Sequence, residues 1–321
     1  MVVIALAGGS GDLGKILLNE LVASKKHVCY VLSRRAKPAE GPDSPEHLAV
    51  DYTSVEALTE VLRQKKVEAV VSALNLYWEG VPAAQLNLIR AAAQSGTVSK
   101  FVPSEFNLDY KLPDDILVYP PKLQQVEAAE ELAKYPHLSW TLLRNGIFLD
   151  YLGLPYQPIQ TSLTPLWLFL DLDHRICHVP DDGSQTLVLT HSSDVAKYLE
   201  RLIRLPGEQW PRESAVIGNK IQAKDIVSIA EKATGQKFEI VFDSIDNIRG
   251  GKPAILPSNT KQEVLGGDME TLYAVVAGTI LAAAGNGYDI PGTDLSNLFP
   301  DVRKTSIEDF LKSCWALKTK A

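Results

Sequence analysis

Val2 to Ala7 is an unbroken apolar run that ends in a cluster of glycines, and similar runs recur through the first half of the chain. They predict strands at Val2–Ala7, His27–Ser33, His47–Val50, Val67–Leu74, Lys100–Val102 and Leu138–Leu143. Between them, apolar positions at helical spacing predict helices at Lys15–Ser24, Ser54–Lys65, Val81–Ser95 and Lys122–Lys134. Strands that are continuously apolar, rather than alternating, belong to a sheet covered on both faces. Strand and helix alternating over short connections predict a doubly wound, right-handed parallel sheet.

The pattern breaks after Asn145. Leu152–Leu170 contains Pro155, Pro158 and Pro165 among Tyr151, Tyr156, Trp167 and Phe169, a mixture that cannot form a regular core helix and reads as a wall or lid over a ligand. A strand and an amphipathic helix return over Thr186–Arg204, with Ser192 or Ser193 as the expected cap. Further on, a helix is expected near Ala223–Thr234, a strand near Phe238–Phe242 and a helix near Glu270–Ala284. A last helix is expected to start at Thr305, with Glu308 at capping-box spacing. The expected organisation is a nucleotide-binding α/β domain over 1–150 that also takes in 185–205. A smaller α+β substrate-binding domain is expected over 151–184 and 206–321.

The net charge of -7 excludes a broad nucleic-acid or anionic-membrane surface while leaving room for a local basic pocket. Cys29, Cys177 and Cys314 are far apart and form no CxxC pair, which fits a reducing, cytoplasmic setting rather than a disulfide framework. No stretch reaches the roughly 18 uninterrupted apolar residues of a membrane span, and the apolar start is too short for a signal peptide.

Gly8-Gly9-Ser10-Gly11-Asp12-Leu13-Gly14 follows the first strand and opens a helix. Gly8, Gly11 and Gly14 form a GxxGxxG variant of the dinucleotide fingerprint: one glycine turns the chain, one admits a pyrophosphate, one lets helix and strand pack closely. The alternative is a tight turn without a ligand. In that position the pattern favours a Rossmann sheet whose helix N-terminus receives the pyrophosphate. The cofactor is chosen at the end of the second strand. An NAD enzyme carries an acid there, about 20 residues past the glycines. Here stand Ser33-Arg34-Arg35, with Lys37 behind and no acid before Glu40. Donors without an acceptor point to a 2′-phosphate and hence NADP(H), with Arg34 the favoured clamp. Asp51 near the adenine, and Ser72-Ala73-Leu74-Asn75 under the nicotinamide ribose, are further candidates at strand C-termini. Asp51 could equally cap the following helix.

Together with the glycine loop, Phe101-Val102-Pro103-Ser104-Glu105-Phe106 and the later Lys122 resemble the atypical short-chain reductases. These comprise isoflavone, pinoresinol and phenylcoumaran benzylic ether reductases with the NmrA-like proteins. The resemblance implies NADPH, contacts to it from Pro103, Ser104 and Glu105, and Lys122 as general acid/base near nicotinamide C4. Desolvation in a pocket would support that role, and Pro120 and Pro121 would fix the helix start. Asn107 stands where the family commonly has glycine. Tyr119 is three positions before Lys122, not the four of ordinary short-chain dehydrogenases, and is a minor candidate.

Phe106, Asn145, Ile147, Phe148, Tyr151, Tyr156 and Trp167 are the expected substrate wall, suited to a flat ligand. Asp171, Asp173, His174 and His178 crowd together but read as a loop entering a strand rather than a metal site. Ser104 has no histidine nearby for a hydrolase triad. The expected function is NADPH-dependent reduction of a small aromatic or polyketide-like molecule by a monomer or homodimer. The alternatives are an NADP(H)-sensing regulator without turnover and a redox-neutral cyclase or isomerase.

Overall fold

The computed structural model describes residues 1–39, 41, 44–77, 79–117, 122–261 and 264–320. Strands β1 (Val2–Ala7), β2 (His27–Ser33), β3 (Glu46–Ala49), β4 (Ala69–Ser72), β5 (Lys100–Val102) and β6 (Ser139–Trp140) form one sheet. Their order is β3-β2-β1-β4-β5-β6, and every pairing is parallel. The chain winds one way from β1 to β2 and the other way to β4, so a crevice opens beyond the carboxyl ends of β1 and β4.

Helices α1 (Asp12–Ala23), α2 (Val55–Gln64), α3 (Val81–Ser95), α4 (Lys122–Ala133) and α5 (Ser192–Arg204) cover the sheet. The period-two alternation of β1 decides which side each residue serves. Ile4 and Leu6 pack with Leu17 and Leu21 of α1 and with Val195, Leu199 and Leu202 of α5. Ala5 and Ala7 turn the other way, toward Leu58 and Leu62 of α2, Leu88 of α3 and Leu132 of α4. Each fully buried leucine contributes about 1.5–3 kcal/mol of transfer free energy.

The expected strand over Leu138–Leu143 is instead two strands in two sheets. Thr141 N still donates to Phe101 O of β5, whereas Leu142 N already donates to Arg212 O. Thr141 is fully buried, and its hydroxyl pairs with that of Ser214 at 2.8 Å. The switch thus comes at a polar residue whose side chain belongs to the second sheet. Beyond it follow β7 (Leu142–Arg144), β8 (Ile147–Phe148), β9 (Leu170–Asp171), β10 (Ile176–Pro180), β11 (Thr186–Thr190), β12 (Glu213–Ala215), β13 (Asn219–Gln222), β14 (Glu239–Asp243) and β15 (Thr293–Asp294). They make three short sheets, β15-β12-β7, β13-β11-β8 and β14-β10-β9. Helices α6 (Asp225–Thr234), α7 (Ile245–Arg249), α8 (Pro257–Lys261), α9 (Met269–Ala284), α10 (Leu295–Leu298) and α11 (Ile307–Lys318) complete this half. Leu152, Phe169, Leu187, Ile226, Leu272, Ile280 and Phe310 share its core.

Two caps differ from expectation. Helix α5 is capped by His191, whose ring accepts from Ser193 N, because Ser192 is committed to the buried carboxylate of Asp150 at 2.6 Å. Helix α11 is capped by Ser306, which accepts from Asp309 N, one residue later than a start at Thr305 requires. Thr305 N is held instead by Asp194.

Candidate functional site

The chain leaves β1 at Gly8 with φ +78°, a conformation that favours glycine. A Cβ there would lie 2.4 Å from Ala73 O, and one on Gly14 would lie 2.0 Å from Gly8 O. These two glycines let the end of β4 and the first turn of α1 close on the loop. Gly11 N donates to Gly8 O at 2.9 Å, and Gly11 occupies the cap position of α1 with no side chain to satisfy the amides behind it. Ser10, Gly11 and Asp12 are exposed, and Leu13 is half-buried. An exposed helix start without a side-chain cap is a receptor for an anion.

The neighbouring strand ends are stitched to this loop. Ala73 N donates to Ala7 O at 2.8 Å, Ser104 Oγ donates to Leu74 O at 2.8 Å, and Ser104 N donates to Gln85 Oε1 at 2.9 Å. Ser72 Oγ is buried with no hydrogen-bond partner among the described residues, and Asn75 accepts from Tyr77 N. Gln85, buried on α3, was missed; its signal is an amide on an otherwise apolar helix face.

Past β2 lies a cleft of about 850 Å³ lined by Ser10, Ser33, Arg34, Arg35, Ala36, Lys37 and His47. Ser33 Oγ donates to Arg35 O at 2.5 Å and fixes the turn. Arg34 and Arg35 are exposed, and neither is paired with a carboxylate among the described residues. Glu40 lies outside the described residues. Asp51 is engaged by its own turn: its carboxylate accepts from Thr53 Oγ1 and Thr53 N, which hold it below its ordinary range. The cap of the helix that follows is Ser54. His47, half-buried on β3, joins the cleft without having been anticipated, because only the pairing of β2 with β3 brings it there.

Two residues are placed differently from expectation. The Lys122 ammonium donates to Leu112 O and to the Asp114 carboxylate, so this lysine, mostly buried, is held by a charge partner rather than left desolvated in a pocket. Tyr119, Pro120 and Pro121 lie outside the described residues. Glu105 is buried. Its carboxylate accepts from Arg144 Nε at 2.8 Å, with side chains only 3% and 1% exposed. Arg144 also meets Asp109 at 3.2 Å and Glu213 at 3.3 Å. Burial pushes the Glu105 carboxyl up to about 7; the Arg144 charge pulls it down, and Asp109 and Glu213 push it further up. Three acids sharing one buried guanidinium explain why this acid is unavailable to a cofactor. Arg144 escaped notice; a lone arginine in the apolar stretch Leu142 to Phe148 was the signal.

The expected substrate wall divides. Phe106 (φ +45°) is core, packed with Val102, Leu143 and Val195. Asn145 is fully buried and donates to Gly146 O, Ile147 is buried in β8, and Trp167 is clamped by both amide atoms of Asn259. All four are interior. Phe148 and Tyr151 are half-buried and meet edge to face at 6.3 Å. Tyr156 donates to Asp173 at 2.8 Å beneath Lys318. His174 and His178 serve separate carboxylates, Asp171 at 2.9 Å and Asp243 at 3.0 Å.

The family model described as the NmrA-like family matches residues 2–266. The chain belongs to the NmrA-like family. This NmrA-like protein is 44% identical to the oxidoreductase swnN of Metarhizium robertsii, over 99% of this chain and 98% of that one. It is 22% identical to a phenylcoumaran benzylic ether reductase of Populus trichocarpa, over 96% and 98%. Its fold matches the leucoanthocyanidin reductase–NADPH binary complex from Vitis vinifera with a TM-score of 0.71 at 15% identity, over 98% and 99% of the two chains. A second swnN oxidoreductase, that of Arthroderma benhamiae, is 39% identical over 99% of this chain and 98% of that one. No helix among the described residues is long and apolar enough to cross a membrane.

Proposed function

We propose that this NmrA-like oxidoreductase is an NADPH-dependent reductase of a small, largely apolar, aromatic or polyketide-like molecule. The observation that carries the cofactor reading is the cleft past β2, where Arg34 and Arg35 stand beside Ser10, Ser33 and His47 and, among the described residues, pair with no carboxylate. Two guanidinium groups free to form bidentate bonds fit a 2′-phosphate, and the diol of NADH would leave them unmatched. The leucoanthocyanidin reductase solved with NADPH supports the same choice. The loop fits the group as well: a Cβ on Gly14 would fill the space the turn needs, and the α1 amides face outward uncapped. NADPH, when bound, supplies a hydride from its nicotinamide.

The chain's own residues then have separate tasks. Backbone amides of Gly11 to Leu13 bind the pyrophosphate, and Ala73 to Asn75 with Pro103 and Ser104 form the floor at the strand ends. Lys122 delivers the proton, moving from the Asp114 carboxylate to the reacting substrate. Phe148 and Tyr151, half-buried and stacked edge to face, are the aromatic surface offered to a flat ligand. Segments 151–184 and 206–321 supply the substrate side of the cleft, and 185–205 stays with the nucleotide domain.

The test is a fluorescence-quenching titration of NADPH and NADH against wild type and Arg34→Ala. Wild type is expected to prefer NADPH, and the loss of a bidentate charge-assisted contact should weaken NADPH by about 10- to 100-fold while leaving NADH little changed. Equal affinity for the two nucleotides in wild type refutes the cofactor choice. Lys122→Ala should keep NADPH affinity and lose about 10²–10⁴ in turnover of an accepted substrate.

A further inference from the structure

The proline-rich segment 158–166 runs between two buried anchors. At its start the amide of Gln157 donates to Asp150 O at 2.9 Å, while Gln160 and Thr161 bond back to Gln157. At its end Asn259, 1% exposed, accepts from Trp167 N at 3.0 Å and donates to Trp167 O at 2.7 Å. Between these anchors the segment is largely exposed, with Ile159 half out in solvent. Yet Thr164 reaches across to the glycine loop, 152 positions away in sequence. Its amide and hydroxyl both donate to Asp12 Oδ2, at 3.0 and 2.5 Å.

Asp12 sits in the first turn of α1, beside the amides proposed to take the pyrophosphate. A carboxylate is favourable at a helix start, but next to a pyrophosphate it repels the ligand. Its presence there calls for another role, and the geometry supplies one, since both contacts on Oδ2 come from the segment opposite. We infer that 158–166 is a strap closed over the dinucleotide by the Asp12–Thr164 pair, so that Asp12 and Thr164 retain the cofactor and set how fast it leaves. The inference rests on the dinucleotide reading given above. Thr164 lies in the strap and Asp12 in the first turn of α1, so the pair ties the strap to the glycine loop. Release of NADPH requires the pair to break. The proline content of the strap, Pro158 and Pro165, limits how far it wanders once released, which favours reclosing.

The experiment is stopped-flow displacement of NADPH from the full chain, read by nucleotide fluorescence, for wild type, Thr164→Val, Asp12→Ala, Asp12→Asn and the Thr164→Val/Asp12→Ala double variant. Thr164→Val removes the hydroxyl bond without altering charge at the nucleotide and should speed dissociation about three- to tenfold. Asp12→Ala should speed it at least as much, and the double variant no more than Asp12→Ala, since one contact has been lost twice. Asp12→Asn keeps an acceptor for Thr164 and should not speed dissociation. Circular dichroism and thermal melts on each variant confirm the fold. If Asp12 merely repels the nucleotide, Asp12→Ala slows dissociation, and the strap is overturned. Unchanged dissociation in Thr164→Val overturns it equally. If wild type binds no NADPH, the dinucleotide reading itself fails, an outcome distinct from binding with an unaltered release rate.

Discussion

Replacing Glu105 by glutamine removes one partner of a buried ion pair, and the structure predicts that the protein becomes more stable at neutral and alkaline pH. Glu105 is 3% exposed and shares Arg144 with Asp109 and Glu213. Burial outweighs the guanidinium and raises its carboxyl from the ordinary 4.5 to about 7. A carboxyl whose value is higher in the folded state binds its proton more tightly there. Its contribution to stability is therefore fully present below about pH 4.5 and is lost as pH rises toward 7. The gap between the two values corresponds to about 3 kcal/mol. Glutamine keeps the shape and an acceptor for Arg144 Nε but carries no charge to desolvate, and the guanidinium retains Asp109 and Glu213. Urea unfolding of wild type and Glu105→Gln at pH 5, 6, 7 and 8 should give nearly equal stabilities at pH 5. The variant should lead by about 2–3 kcal/mol at pH 8, with unchanged m values. A difference that is flat with pH, or one in which wild type gains on the variant as pH rises, would refute the reasoning and make the Glu105–Arg144 pair net stabilising.

Two further outcomes follow from particular contacts. Gly14→Ala puts a methyl 2.0 Å from Gly8 O, where only backbone can yield; roughly 1–3 kcal/mol of stability and more than about tenfold in NADPH affinity should be lost, read by thermal melt and titration. Glu131 is buried, which raises its carboxyl, but bonds from Arg90, Lys134 and Tyr135 win and hold it at about 2. Its stabilisation is present above about pH 4.5 and fades as pH falls toward 2. Glu131→Gln should thus cost about 1–3 kcal/mol at pH 7 and progressively less in acid, measured by the same urea series.

The features legible in the sequence were those governed by neighbours along the chain. The alternation of apolar runs and helical spacing located the six-stranded sheet, and the steric needs of Gly8 and Gly14 marked the loop. Arg34 and Arg35 stood out because an expected acid was missing beside them. What escaped depends on distant partners. Glu105 was read as a cofactor contact because nothing local to Pro103–Phe106 announces Arg144. The sheet switch at Thr141 is invisible without Ser214. Phe106, Ile147 and Trp167 look like a ligand wall in sequence because aromatic and branched residues serve a pocket and a core alike. The cap of α5 moved to His191 because Ser192 was already taken by Asp150.

The change of sheet at Thr141 also bears on how such a protein can be taken apart and reassembled. A fragment ending at residue 150 would carry β7 and β8 without β12 and β11, leaving two strand edges open to mispairing. It would also lack α5, stripping the apolar side of α1. The first 150 residues are therefore not an exchangeable cassette. Chimeras that keep the first 150 residues should fold only when β11, β12 and α5 travel with them, so any exchange has to be made in the loops and helices hung between those elements.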